Sequence, residues 1–232
     1  MAHKSDGPIG KRGLIVAIDG PAGAGKSTVA RLLAARLGYL YLDTGALYRA
    51  VAWKVLKAGI DQSDRAAVVR LLADTRLEME CGAERARVLV DGKEVSAELR
   101  LPEVTALASV VSAIPAVRDW LLPVQRDIGA GGSVVAEGRD IGTKVFPHAD
   151  VKFFLEADPE VRALRRHREL VAAGHSVHLD QTKRDMTGRD DRDRSRAVAP
   201  LQSAPDAERI DTSVLPAESV VEHMMAVITA RP

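Results

Sequence analysis

Residues 14 to 28, LIVAIDGPAGAGKST, constrain the fold more than any other stretch of the chain. The apolar run from Leu14 to Ile18 reads as a buried strand bounded by Asp19 and Gly20. Gly20, Pro21, Ala22, Gly23, Ala24, Gly25, Lys26 and Ser27 then fit G-x-x-x-x-G-K-[ST], followed by Thr28, and the helical pattern STVARLLAARL opens at Ser27. Each residue type has a physical task. The glycines let the backbone curl so that successive N–H groups point at phosphate oxygens. The helix N-terminus adds unpaired donors and partial positive charge. Lys26 can reach β- and γ-phosphates, and the Ser27 hydroxyl can hold Mg²⁺. A Gly-rich turn with a chance Lys-Ser would not need both the strand before it and the amphipathic helix after it. The stretch predicts a nucleoside triphosphate site.

A chain of 232 residues suits one α/β domain with insertions and can bury a sizeable core. The net charge of +1 gives no global basic excess, so polymeric nucleic acid is not an expected partner and basic chemistry must be local. Cys81 is the only cysteine, which excludes an intramolecular disulfide and fits a reducing cytosol. It is expected to be a buried, small apolar residue. The start, MAHKSDGPIGKRG, lacks the apolar stretch of a signal peptide, and no apolar run approaches the length of a membrane span. The expectation is a cytoplasmic protein with no membrane partner.

Along the chain, residues 1–13 are expected to form a disordered tail. Tyr39 to Leu42 reads as a second strand, Gly45 as a turn, and Ala46 to about Ala58 as a helix stopped by Gly59. A short helix candidate, Asp64 to Ala73, precedes two β-like runs, Leu77 to Cys81 and Ala86 to Asp91. Asp91-Gly92 then signals a hairpin into Lys93 to Val95. Helices are expected over Pro102 to Val111 and Pro115 to Ile128, the second bent at Pro123. Ser133 to Ala136 and Val151 to Leu155 read as strands. Pro159 to Ala173 reads as a helix capped by Asp158. Glu208 to Asp211 and Ala217 to Thr229 read as a last strand and helix. These βα units predict a doubly wound parallel sheet of P-loop type. Its core would be 14–59, 106–167 and 199–232. An inserted lobe with a small antiparallel meander would occupy 60–105, and a short helical lid 168–198.

The string RDDRDRSR holds four arginines in eight residues. If helical, Arg189, Arg192, Asp193 and Arg196 share one face. A solvated helix with local pairs such as Asp190–Arg194 is the bland alternative. Arginine rather than lysine favours bidentate phosphate recognition. Arg49 and Arg139 sit just past strands, where α/β sheets open onto a ligand crevice.

GPAGAGKST, LDTGALYR, SVVSAIPAVR, AEGRDIGTKVFP and RDDRDRSRAVAPL, in this order, closely resemble the bacterial cytidylate (CMP/dCMP) kinase family. The match covers nearly everything from Leu14 onward. The meander is similar to the enlarged nucleotide-binding insert of the bacterial enzymes. The resemblance implies transfer of the γ-phosphoryl of ATP to CMP or dCMP, with Mg²⁺. Gly20 to Thr28 would bind ATP. Thr44, which stands where serine is frequent, would bind the acceptor phosphate with Arg49 and Arg139. Ser109, Arg118 and Asp140 would read cytosine, Arg189 and Asp193 would hold the sugar hydroxyls, and Arg196 would help fix the pyrimidine. Arg192 and Arg194 would act in the lid over the ATP phosphates, completing an implied catalytic set with Lys26 and Arg139. Glu137 stands where aspartate is frequent, and no role is carried over to it.

The nucleophile of such a reaction is an already anionic phosphate oxygen, so no general base is needed. The work lies in aligning two polyanions and excluding water. Asp140 can accept from the cytosine N4 amino group while Arg118 donates to N3 or O2. The G-R-D-I-G-T and R-D-D-R-D-R runs argue against an adenylate, thymidylate or shikimate kinase. A GTPase-like switch lacks support because no N-K-x-D string occurs, the nearest being Thr182-Lys183-Arg184-Asp185. Near-zero charge and few aromatic residues disfavour a nucleic-acid ATPase. A self-contained two-ligand cleft needs no second copy, so a monomer is expected.

Overall fold

The computed structural model describes residues 13–81 and 86–230. The side chain of Cys81, the link at 82–85 and all of the expected tail but Gly13 lie outside the described residues. Five parallel strands form the main sheet: β1 (Ile15–Asp19), β2 (Leu40–Asp43), β6 (Val134–Gly138), β7 (Val151–Glu156) and β8 (Glu208–Asp211). Their order is β2-β6-β1-β7-β8. The chain runs to one side of β1 and returns to the other, so the crevice beyond the carboxyl end of β1 is the topological switch point.

Strands β1 and β6 are buried at every position, as a sheet covered on both faces requires. Val16, Ile18, Phe153 and Leu155 face Leu33 of α1 (Lys26–Leu37) and Met224 of α8 (Ala217–Thr229). Ile15, Ala17, Val134 and Ala136 face the other way, onto Ile141, Val145 and Phe146. The last group belongs to a π-helical turn, Ile141–Val145, and its C-terminal neighbour. The sequence pattern did not indicate that turn.

A second cluster serves the inserted elements. It contains α2 (Thr44–Lys57), α3 (Arg65–Ala73), β3 (Leu77–Cys81), β4 (Ala86–Val90), α4 (Pro102–Val111) and α5 (Pro115–Gly129). Leu47, Val51, Val68, Val88, Val90, Leu107 and Leu121 are its buried centre. The apolar packing of this lobe therefore reaches back into α2 and forward into α5. With β5 (Lys93–Glu94), β3 and β4 form the antiparallel three-stranded sheet, turned at Asp91 and Gly92, both with positive φ.

Several local expectations shift. Gly45 is not a turn: the Asp43 carboxylate accepts from Ala46 N at 3.1 Å, and this cap starts α2 at Thr44. Strand β6 runs on to Gly138, so Glu137 is a strand residue paired in register with Ile18. Helix α5 continues through Pro123 to Gly129. Helix α6 (Pro159–Ala172) is capped by Asp158 as expected, with α7 (Leu179–Ser195) packed beside it. Arg196 lies past the end of α7 in extended backbone, not on the helical face.

Candidate active site

On the donor side, Gly20, Gly23 and Gly25 all have positive φ. A Cβ at Gly20 would stand 2.2 Å from the carbonyl oxygen of Leu155, and at Gly23 it would stand 2.9 Å from that of Arg162. Glycine is required there for close approach as well as for conformation. Helix α1 begins at Lys26 with no side-chain cap, so its first N–H groups are open to an anion. Lys26 is buried and its Nζ donates to the Pro21 carbonyl at 2.6 Å. Burial, with Arg139 nearby, pushes this amine down to about 7. Pro21, Ala22 and Ala24 shape the loop, and the side chains of Ser27 and Thr28 are exposed at its end.

Glu137 lies at the same place. It is buried, accepts from the Tyr41 hydroxyl at 2.5 Å, and interacts with Ser27. Burial and the neighbouring Asp43 raise its pKa. Reading along the sequence gave this residue no role, because its partners Tyr41, Ser27 and Lys26 sit on other segments.

The acceptor side is assembled from five segments. Thr44, at the start of α2, donates to the Glu137 carbonyl at 2.7 Å. Arg49, one turn later, pairs with Asp43 at 2.6 Å. Arg118 of α5 pairs with Asp140 at 2.5 Å, both nearly fully buried, and also donates to the Ser112 carbonyl. Arg139 Nε donates to Asp193 at 2.9 Å. Arg196 approaches Asp193 at 3.5 Å and Asp140 at 3.9 Å. Burial raises the Asp193 carboxyl, but Arg139, Arg189 and Arg196 outweigh that and hold it below the usual range. Arg192 Nε donates to Ser109 Oγ at 3.1 Å, which puts this guanidinium on the acceptor side. Arg194 stands apart, lining a cleft of about 370 Å³ with Pro21, Glu156 and Arg162.

The Asp190–Arg194 pair of the bland alternative does not form. Asp190 instead pairs with Arg162 of α6 at 2.7 Å, and Arg162 also donates to the Ala22 carbonyl of the phosphate loop. An ion pair 28 positions apart leaves no local signal, whereas the i, i+4 spacing of Asp190 and Arg194 suggested one that the fold does not use. Tyr48 was also missed. Its ring lies 5.3 Å from the Arg118 guanidinium, and together with Gln125 and Asp140 it lines a small cavity. A lone glutamine on the buried face of α5 was the available clue, since buried polar groups need partners.

Three guanidinium atoms among the described residues are buried without an acceptor: Arg49 Nε, Arg189 Nε and Arg196 Nη2. Arg189 is pushed down to about 10 by burial and by Arg139, and it also feels Arg49. Lys26 feels both Arg139 and Arg189. Cationic groups from the phosphate loop, α2, the end of β6 and α7 therefore converge on one space. Unpaired buried donors cost about 1–3 kcal/mol each, more when charged, and an anion would satisfy them.

The family model for cytidylate kinase matches residues 16–230. The chain belongs to the cytidylate kinase family. It is 50% identical over 216 residues to the cytidylate kinase of Pelotomaculum thermopropionicum, covering 93% of this chain and 96% of that one. The cytidylate kinase of Geobacillus kaustophilus is 46% identical, with 95% and 99% covered. Among solved structures, an uncharacterized protein from Eubacterium ventriosum superposes with a TM-score of 0.53 at 13% identity, covering 94% of this chain and 99% of that one. That likeness speaks to the fold alone.

Proposed function

We infer that the crevice transfers the γ-phosphoryl of ATP to CMP or dCMP, giving ADP and CDP or dCDP. Family membership supports the reaction class, and the observation that carries it is the convergence of Lys26, Arg139, Arg189 and Arg49 on one space, with Arg49 Nε and Arg189 Nε buried without a hydrogen-bond acceptor. The backbone N–H groups of the Gly20 to Thr28 loop, Pro21 excepted, and the Lys26 amine bind the donor phosphates. Thr44, Arg49 and Arg139 bind the acceptor phosphate. Ser109, Arg118 and Asp140 read the base, with Arg196 beside them, while Arg189 and Asp193 hold the sugar. Arg192 and Arg194 belong to the lid, 168–198, which together with the inserted lobe, 60–105, closes over the two nucleotides and excludes water.

The donors around Ser27 suit Mg²⁺. They are a hydroxyl and the Glu137 carboxylate, both hard oxygen groups, and no cluster of three metal-ligating side chains occurs among the described residues. That is the sparse donor set of an ion bound largely through substrate phosphates. When bound, the ion would neutralise part of the β,γ-phosphate charge. Ser27 would hold it, and Glu137 would orient the Ser27 hydroxyl.

Asp140 uses one oxygen for Arg118, and its second, 3.9 Å from Arg196 and outside hydrogen-bond range of it, can accept from the cytosine N4 amino group, whereas uracil has no proton at that position. The same reading has the protein working in the cytoplasm, where a lone cysteine such as Cys81 stays reduced, and as a monomer, because a self-contained two-ligand cleft needs no second copy. An ADP-release assay across nucleoside monophosphates tests the reading. CMP and dCMP should lead, with UMP weaker and AMP, GMP and dTMP near background. A preference for AMP or dTMP would contradict it.

A further inference from the structure

Asp19 is the last residue of β1, directly before the first glycine of the phosphate loop, and it is 3% exposed. Its two carboxylate oxygens accept from two consecutive amides 122 and 123 positions away, Ile141 N at 2.8 Å and Gly142 N at 2.7 Å. These amides open the π-helical turn that follows Arg139 and Asp140, where a helix start leaves donors without partners. The same turn folds back on Asp140, whose carbonyl accepts from Lys144 N at 2.8 Å and Val145 N at 3.1 Å. The backbone carrying Asp140 is thus fixed on both sides.

The fit is close. A Cβ at Gly142 would come within 3.4 Å of Asp19 Oδ2 and 3.1 Å of Lys152 Cδ. On its other side, Asp19 is bonded to Gly20, which is pressed against the Leu155 carbonyl. Burial pushes the Asp19 carboxyl up to about 6, and Asp140 adds to this against the two amides and Lys26. A buried carboxylate is an expensive cap for two amides. It stands where two loops must keep their spacing, and errors of about 1 Å in such spacing are costly to phosphoryl transfer.

We propose that Asp19 is a positioning residue that ties the turn bearing Arg139 and Asp140 to the root of the phosphate loop, setting the cytosine-reading carboxylate against the donor. The proposal rests on the assignment of Asp140 to cytosine. It concerns a residue that touches neither nucleotide and acts through the turn.

The test compares kcat/KM for CMP and UMP, and KM for ATP, in Asp19→Asn, Gly142→Ala and Asp140→Ala. The asparagine keeps one acceptor and turns an NH₂ toward the second amide. Asp19→Asn should lower the CMP/UMP ratio about three- to tenfold, as expected for one lost hydrogen bond, with KM for ATP within about twofold. Gly142→Ala crowds the clamp with a methyl 3.1 Å from Lys152 Cδ and in contact with Asp19 Oδ2, and should move the ratio the same way by a smaller amount, which keeps the proposal testable if the asparagine variant folds poorly. Equal losses for CMP and UMP at a constant ratio in both clamp variants, while Asp140→Ala collapses the ratio, would overturn the proposal alone. A constant ratio in Asp140→Ala would overturn the base assignment and this proposal together.

Discussion

The two halves of the crevice are built on different principles. The half proposed for the donor is backbone: nine consecutive residues, Gly20 to Thr28, whose glycines and uncapped helix N-terminus suit a phosphate, with Lys26 as its cation. The acceptor half is made of side chains from α2, α4, α5, the end of β6 and the end of α7, held by mutual ion pairs. A backbone site needs few supports and tolerates only glycine at its tight points. A side-chain site depends on every element that delivers a residue, so its geometry is open to change from far away. On the proposed reading, an acceptor phosphate and sugar would compete with the internal Arg139–Asp193 pair, so acceptor affinity would be a difference between two sets of contacts rather than a sum.

The largest expected effect tests where the halves are joined. Asp190→Ala leaves the Arg162 guanidinium buried without its carboxylate, against the Ala22 carbonyl of the phosphate loop. It should reduce unfolding free energy by about 3–5 kcal/mol in urea titration. A change below about 1 kcal/mol would mean that the lid helices are not anchored through this pair. Next, Lys26→Ala should lower kcat by about 10²–10³-fold, while CMP affinity by calorimetry stays within about twofold. Parallel loss of both would mean that the halves are not separable. The smallest effect is a proton count. Because burial holds the Lys26 amine at about 7 and a bound polyphosphate would raise it, ATP binding should take up on the order of one proton at pH 8. Uptake should fall toward zero by pH 6, where the amine is already charged. Calorimetry in buffers of different ionisation enthalpy measures it, and uptake that persists in Lys26→Met would place the titration elsewhere.

The same contrast explains what could be read in advance. The donor half is a contiguous string, and its strand, loop and helix follow from local periodicity and glycine chemistry. The closing elements, Glu208–Asp211 and Ala217–Thr229, are equally local and have the expected limits. Where a side chain from a neighbouring position competes with composition, reading fails by a residue or two. The Asp43 cap starts α2 before Gly45 can act as a turn. Long-range pairings leave no trace in spacing. Asp19 with Ile141 and Gly142, Glu137 with Tyr41, and Asp190 with Arg162 are all invisible until the sheet brings them together. Ser109 and Arg118 look like ordinary helix residues, and only the family resemblance singled them out.

The central claim is that this crevice reads cytosine through Asp140, and it is tested most directly by kcat/KM for CMP and UMP in the wild type, Asp140→Ala and Arg49→Ala. A hydrogen bond to a charged acceptor contributes about 1.5–3 kcal/mol, so CMP efficiency should fall roughly ten- to a hundredfold in Asp140→Ala. UMP, with no proton to give at O4, should change little or improve, and the CMP/UMP ratio should fall. Arg49, which pairs with Asp43, is proposed to bind only the acceptor phosphate, so Arg49→Ala should weaken both substrates alike and leave the ratio in place. A CMP/UMP ratio that holds steady in Asp140→Ala would contradict the account and move cytosine recognition to another residue.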